Sequence, residues 1–264
     1  MTDPTVSQGA PPAVLEGEVR VEVRDGVGSV EFYHPKGNSL PGLLLRRLAD
    51  GITALGSDDS ARVIVLRSGG TGPFCAGASF DELTRVSTPE EGREFFSGFS
   101  RVILAMIRAP KFVLTRVQGK AAGGAVGLIA ASDYALAVSG ASARLSELAV
   151  GIGPFIVGAV IEKKIGLAGF SAMAVDADWR EGAWCERQGL YARVCENVFE
   201  LDSAVARLAG TLAASNPEAM RELKRIFWAG TEGWDELLDE RARMSGRMVL
   251  SEFTRRAIQE FSGR

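Results

Sequence analysis

The chain of 264 residues contains a single histidine, His34, and only three cysteines, Cys75, Cys185 and Cys195. One histidine excludes histidine-rich metal sites and most histidine-based catalytic triads within one chain, and no Gly-x-Ser-x-Gly motif is present. The cysteines are odd in number and widely spaced, so they form neither a Cys-x-x-Cys pair nor a disulfide framework. This cysteine use is typical of a reducing compartment, and we expect a cytoplasmic protein without a metal site.

Long apolar runs and an excess of positive charge are also missing. The longest apolar stretch, residues 121–136, is interrupted by Asp133 and rich in glycine, which argues against a membrane span. A net charge of −3 and a pI near 5.5 argue against a nucleic-acid partner. The first residues lack the basic flank and apolar segment of a secretory signal. We therefore expect neither a membrane nor a nucleic acid as a partner.

Strand, turn and helix signals alternate between about residues 60 and 170, and helical spacing dominates from about Phe170 onward. This order argues for an α/β core followed by a helical region. We expect a flexible tail over residues 1–17, a core over residues 18–200 and a C-terminal helical region over residues 201–264. The proline content of the first twelve residues supports the tail.

Local patterns predict the elements in more detail. A hairpin is expected around Asp25-Gly26, and a helix with a capping box is expected to begin at Thr88-Pro89. Asn216-Pro217 predicts another helix start. Further strands are expected at residues 62–67, 112–117, 134–138 and 143–146, and further helices at residues 44–55, at residues 128–131 and after Trp234.

A glycine-rich turn separates the expected strand at residues 112–117 from the short helix that follows it. It reads Gln118-Gly119-Lys120-Ala121-Ala122-Gly123-Gly124, with Gly127 three residues later. The glycine spacing matches neither the dinucleotide fingerprint nor the phosphate-binding loop. Two interpretations stay open from this stretch alone. The glycines either allow tight packing of a helix on a sheet or expose backbone N–H groups to an anionic oxygen.

Three separated motifs carry a resemblance to a known family. They are Phe74-Cys75-Ala76-Gly77-Ala78, Gln118-Gly119-x-Ala121-x-Gly123-Gly124 and Leu145-Ser146-Glu147. In order and spacing the chain from about Val19 resembles the enoyl-CoA hydratase/isomerase (crotonase) superfamily, and is most similar to bacterial sequences of the methylglutaconyl-CoA hydratase type. The resemblance implies a crotonase-like spiral of ββα turns with a C-terminal helical trimerisation region. It also implies a homotrimer or hexamer. We expect the helices after about Phe170 to bury apolar faces between subunits, because a small helical appendage cannot hide Leu237, Leu238, Met244 and Leu250 by itself.

The resemblance assigns the backbone N–H groups of Ala78 and Gly124 to an oxyanion hole for a thioester carbonyl. Proton transfer beside a thioester carbonyl develops negative charge on its oxygen, and one preorganised donor to that oxygen is typically worth about 3 kcal/mol of barrier. Glu147 aligns with one of the two catalytic glutamates of the hydratases. The implied substrate is an acyl-CoA thioester, with no cofactor besides the coenzyme A that it carries.

The second hydratase glutamate aligns with Gly127, so this chain departs from the family pattern. We expect Gly127 to leave a space opposite Glu147, filled by a water molecule or by a bulky acyl branch. The resemblance places the remaining substrate contacts at Lys36, Ala76, Phe80, Gly123 and Phe155. For Lys36 the alternative is a solvent-exposed lysine with no role in binding. A second polar group for the reaction is expected among Ser79, Asp81, Glu82, Arg85 and Glu94. A partner for a carboxylate on the acyl group is expected at Arg85 or Arg93. The alternative for each of these residues is an ordinary solvent-exposed position on a helix.

These residues lead to an enzyme that stabilises a thioester enolate. The leading hypothesis is an enoyl-CoA hydratase/dehydratase acting on a branched or carboxylated enoyl-CoA. The solitary Glu147 supports a Δ3,Δ2-enoyl-CoA isomerase as the alternative, since one carboxylate is enough to move a proton. A third hypothesis is a non-catalytic binding protein of the same fold.

Overall fold

The computed structural model describes residues 17–262, so the predicted tail lies outside the described residues except for Gly17. The strands are β1 (Glu18–Arg24), β2 (Val27–Tyr33), β3 (Val63–Ser68), β4 (Val113–Val117), β5 (Ala121–Ala122), β6 (Tyr134–Val138), β7 (Ala143–Arg144) and β8 (Arg193–Cys195). The helices are α1 (Gly42–Ser57), α2 (Phe80–Leu83), α3 (Pro89–Arg108), α4 (Gly124–Ala130), α5 (Phe155–Asp176), α6 (Gly182–Gln188), α7 (Val198–Ala213), α8 (Pro217–Phe227), α9 (Trp234–Met248) and α10 (Glu252–Ser262).

The main sheet has six strands in the order β1-β2-β3-β4-β6-β8. The predicted hairpin is confirmed: β1 and β2 are antiparallel, and Asp25 and Gly26 both have positive φ, which is typical of a tight two-residue hairpin turn. The other neighbouring strands are parallel. The central strands β3 and β4 are almost entirely buried, as parallel strands covered by helices are.

A second, smaller sheet runs beside the ends of the main strands and positions the site. Its named strands are β5 and β7, and single bridges extend it: Leu40 to Ala78, Cys75 to Ala121, and Ala143 to Arg180. These segments follow β2, β3, β4 and β6 in turn. Each turn of the chain thus supplies one strand to each sheet. This repetition, with helices on the connections, is the expected crotonase-like α/β spiral.

The C-terminal helices pack against the core rather than standing apart from it. Helix α9 lies along α3, and their backbones approach so closely that an ideal Cβ on Gly92 would lie 2.6 Å from Cα of Gly246. Both helix starts predicted from capping signals are confirmed, since the side chains of Thr88 and Asn216 accept hydrogen bonds from the first turns of α3 and α8. Between residues 17 and 262, no helix is both long and apolar enough to cross a bilayer.

Several sequence expectations need correction. Strand β8 lies within the region expected to be helical, and the segment at residues 143–146 is a strand only at its first two residues. The expected boundary at residue 200 lies inside α7, which packs on β3, β4 and β6. Leu238, expected between subunits, is fully buried within its own chain, and Leu237 and Leu250 also pack on their own chain.

Candidate active site

A cavity of about 380 Å³ opens beside the second sheet, between the short helix α2, α3 and the start of α5. It brings together all of the predicted site residues except Gly127: Lys36, Ala76, Ala78, Phe80, Gly123, Gly124, Glu147 and Phe155. Phenylalanines of α3 and aliphatic residues of α5 supply much of the remaining wall. An apolar cavity with a few converging polar groups is the usual form of a small-molecule site.

Two backbone N–H groups at the cavity wall have no acceptor among residues 17–262. The bridge to Leu40 fixes the chain at Ala78, because Leu40 donates to the Gly77 carbonyl (2.8 Å) and Ser79 donates to the Leu40 carbonyl (3.3 Å). This pairing leaves the Ala78 N–H unused. The Gly124 N–H is likewise unused because Gly124 is the first residue of α4.

The residue immediately before each of these donors must be glycine. Gly77 has φ of 94°, and a Cβ there would lie 2.8 Å from the carbonyl oxygen of Ala122. Gly123 has φ of 56° and ψ of −126°. These conformations are costly for residues with a Cβ. The glycines of the motif therefore hold the backbone in the shape that turns the two donors toward the cavity.

Glu147 lies next to this backbone. It follows β7 and precedes a 3₁₀ turn at Leu148–Val150, and its carbonyl accepts hydrogen bonds from Val150 (3.2 Å) and Ile152 (2.9 Å). An ideal Cβ on Gly123 would lie 3.3 Å from Oε1 of Glu147. Oε2 is buried and has no hydrogen-bond partner in the described part of the chain. Burial raises the pKa of Glu147 from 4.5 to about 7, which suits a group that must both accept and release a proton near neutral pH.

Comparison with known proteins identifies the family. The family model for enoyl-CoA hydratase/isomerase matches residues 22–262. The chain belongs to this family. Its relatives include the mitochondrial methylglutaconyl-CoA hydratases of Rattus norvegicus and Homo sapiens, each 32% identical over 199 residues, or 74% of this chain. The matched region covers 63% of the rat protein and 58% of the human protein, which is less than two thirds of either.

Solved structures of the family share the fold. An enoyl-CoA hydratase from Bacillus halodurans superposes with a TM-score of 0.85 at 20% identity, covering 92% of this chain and 99% of that one. The crotonase-like architecture expected from the motifs is therefore confirmed.

Gly127 is where this family member departs from the sequence-based expectation. It is buried inside α4 and does not line the cavity. An ideal Cβ on Gly127 would lie 2.5 Å from Cγ1 of Val157 and 2.8 Å from its Cβ. The expected space opposite Glu147 is thus filled by Val157, which itself lines the cavity. Neither a water molecule nor an acyl branch has room beside Gly127, so its assignment as a substrate contact was wrong.

Some of the polar and charged residues expected around the site line the cavity, and others do not. Lys36 and Asp81 line the cavity and form an ion pair with each other. Ser79 also lines it, but its Oγ accepts the N–H of Glu82 (3.3 Å). The others do not line the cavity: Glu82, Arg85, Arg93 and Glu94. Arg93 pairs with Asp239 and Glu94 with Arg101, so neither is placed to meet a substrate.

The sequence reasoning missed several lining residues, among them Arg144, Ser146 and Val157. Arg144 and Ser146 alternate with the buried Ala143 and Leu145, so period-two alternation around the Leu-Ser-Glu motif was the signal that could have found them. Val157 has no such signal, because its place in the cavity depends on how α5 packs against α4.

The raised pKa of Glu147 predicts a pH-dependent stability. Folded protein keeps the proton up to about pH 7, whereas the unfolded chain releases it near the ordinary value of 4.5. The unfolded state binds fewer protons between these values, so the free energy of unfolding falls as pH rises from 4.5 to about 7. Glu147→Gln cannot ionise, and near pH 8 it should be more stable than wild type by on the order of 2 kcal/mol, after allowance for solvent screening in the cavity.

Urea denaturation of both proteins near pH 8 and near pH 4 checks this expectation. The two stabilities should converge at the lower pH, where Glu147 is protonated in both the folded and the unfolded state. If wild type and Glu147→Gln have the same free energy of unfolding near pH 8 as well as near pH 4, the carboxyl group of Glu147 is not desolvated.

Proposed function

We propose that the chain catalyses proton transfer beside the carbonyl of an acyl-CoA thioester, as a hydratase/dehydratase of a branched or carboxylated enoyl-CoA. One observation carries the proposal: the unused N–H groups of Ala78 and Gly124 line the same cavity as the buried carboxyl group of Glu147. The printed names of the 32% identical relatives support the choice of a hydratase and of a carboxylated acyl group.

The chemistry follows from this arrangement. The thioester oxygen accepts hydrogen bonds from both N–H groups, which form an oxyanion hole and stabilise the enolate as charge reaches that oxygen. Glu147 removes a proton from water while the water oxygen bonds to the β-carbon. The protonated Glu147 then returns a proton to the α-carbon, and the enolate collapses to the thioester. One molecule of water is added, and Glu147 ends in its starting state.

A second candidate function is favoured by Val157. Since this side chain fills the place expected for a second carboxylate, the wall formed by the described residues offers Glu147 as its only carboxylate outside an ion pair. A Δ3,Δ2-enoyl-CoA isomerase needs no more than that. Glu147 would remove a proton from the α-carbon of a 3-enoyl thioester and return it to the γ-carbon as the double bond moves.

Incubation in oxygen-18-labelled water separates the two reactions. The protein is mixed in turn with a 2-enoyl-CoA, a carboxylated 2-enoyl-CoA and a 3-enoyl-CoA. Because 2-enoyl and 3-enoyl isomers have the same mass, the products are separated by liquid chromatography before mass spectrometry. Labelled 3-hydroxyacyl-CoA supports the hydratase, and an unlabelled 2-enoyl product from the 3-enoyl substrate supports the isomerase. Binding of thioesters without either product would overturn both and favour the non-catalytic hypothesis.

We also propose the assembly typical of the resemblance, a homotrimer or hexamer. Large apolar side chains remain exposed on α7 and α8, with Phe199 80% and Ile226 69% exposed. Exposed apolar surface of this kind is usually covered in an assembly. Light scattering should give three or six times the chain mass of 28.1 kDa. A monomer at micromolar concentration would contradict the proposal.

A further inference from the structure

Arg144 is a cation of the cavity wall to which the chemistry above gives no role. It lies three residues before Glu147, at the end of β7. Arg144 and Ser146 line the cavity, whereas Ala143 and Leu145 are buried on the opposite side. Arg144, Ser146 and Glu147 all line this cavity, so Arg144 borders the same space as the acid–base group.

Arg144 is a cation of the cavity wall without a carboxylate partner among the described residues. Four residues with ionisable side chains line the cavity: Lys36, Asp81, Arg144 and Glu147. Lys36 and Asp81 neutralise each other. Within residues 17–262, no carboxylate forms an ion pair with Arg144. A positive charge is therefore available to a ligand in the cavity.

The guanidinium group is held in place by its surroundings. Its Nε donates to the carbonyl of Ala177, and its Cζ lies 6.0 Å from the ring centre of Trp179. Among the described residues, its two terminal nitrogens have no hydrogen-bond partner. A fixed guanidinium with both terminal nitrogens unused is suited to bind a carboxylate through two parallel hydrogen bonds.

We propose that Arg144 binds a carboxylate on the acyl group, so that the enzyme selects a short dicarboxylic acyl-CoA. This inference rests on the proposed function and names the recognition residue that Arg85 and Arg93 do not provide. The Cα atoms of residues 144 and 147 are at most about 10 Å apart. Both residues line one cavity of about 380 Å³, so a short acyl chain can reach from Glu147 to Arg144. A phosphate of the coenzyme A moiety offers the same anionic chemistry, and the experiment separates the two sources.

The test measures binding of two saturated thioesters that cannot be hydrated. Glutaryl-CoA carries the carboxylate, and hexanoyl-CoA has an uncharged acyl chain of similar length on the same coenzyme A. Isothermal titration should show that wild type prefers glutaryl-CoA. Arg144→Met should weaken the binding of glutaryl-CoA by about tenfold or more and change the affinity for hexanoyl-CoA by less than about twofold. Arg144→Lys keeps the charge but not the forked donor pair, so its affinity for glutaryl-CoA should be intermediate.

Lys120→Met is the matched control. Lys120 contacts the same Trp179 ring, at 5.1 Å, but does not line the cavity. Lys120→Met should leave the affinities for both thioesters unchanged, whereas Arg144→Met should weaken binding of glutaryl-CoA.

The outcomes distinguish three failures. If Arg144→Met weakens both thioesters and free coenzyme A equally, Arg144 binds a coenzyme A phosphate and the inference is wrong. Equal affinity of wild type for the two thioesters also overturns it, while leaving the proposed function intact. If wild type binds neither thioester, the proposed function itself fails. Retained binding of hexanoyl-CoA by Arg144→Met shows that the variant is folded.

Discussion

Replacing Glu147 with glutamine is expected to lower turnover by about 10²–10⁴-fold, the usual contribution of a positioned general acid–base group. The amide keeps the shape of the side chain beside Gly123 but cannot accept a proton. The N–H groups of Ala78 and Gly124 are unchanged, so binding of the thioester should stay within a few-fold of wild type. Stopped assays on the substrate identified by isotope labelling and titration with hexanoyl-CoA measure the two quantities.

Glu90→Gln is the control for this substitution. Glu90 lies in the first turn of α3, is exposed and does not line the cavity, so the same change of chemistry there should leave turnover unaltered. If Glu147→Gln turns over substrate at the wild-type rate, Glu147 is not the acid–base group for either candidate reaction. A large loss of hexanoyl-CoA affinity would instead show that the variant perturbs the binding cavity.

The sequence predicted correctly those elements that depend on residues close together in the chain. The hairpin at Asp25-Gly26 and the helix starts at Thr88 and Asn216 depend on residues within four positions of each other, and the structure confirms all three. Strand β8 was missed because it has only three residues and begins with an exposed arginine. It is a strand because β6 offers it an edge to pair with, and that contact is not local.

The candidate site shows the same division. Gly77 and Gly123 were marked by motif, and each occupies a backbone conformation that a Cβ would strain. The cation available to a substrate carboxylate was sought at Arg85 and Arg93 because they are near the motif in sequence, yet Arg93 pairs with Asp239 of α9. Arg144 lines the cavity instead, and its lack of a carboxylate partner becomes visible only once the surrounding segments are in place.

Gly127→Glu is expected to be among the most damaging substitutions in the chain. Its Cβ would meet the Val157 side chain at 2.5 Å, and α4 and α5 pack directly on each other there. Overpacking of a core typically costs about 1–3 kcal/mol, and a buried carboxyl group without a partner adds a penalty of its own. We expect a loss of roughly 4 kcal/mol or more in the free energy of unfolding, measured by urea denaturation.

The double variant Gly127→Glu with Val157→Ala tests the cause of that loss. Val157→Ala alone should cost about 2 kcal/mol through the cavity it leaves. If Val157 is what excludes a side chain at residue 127, the double variant should be more stable than the sum of the two losses allows, because substitutions at contacting residues couple. Additive losses would show that the two residues do not compete for the same space.

The same double variant also probes the reaction. Removing the two methyl groups of Val157 takes away the contact at 2.5 Å, and a small shift of α5 relieves the remaining contact with its Cβ at 2.8 Å. The new carboxylate then has a path toward the carbons beside Glu147. A second carboxylate there would have a pKa raised by burial and by the neighbouring Glu147, which favours one shared proton between them. We therefore expect the double variant to gain hydration of a small straight-chain enoyl-CoA, detected as oxygen-18 in the product. A stable double variant without this gain would show that a second carboxylate at residue 127 does not reach the reacting carbons, and that Glu147 works alone on this scaffold.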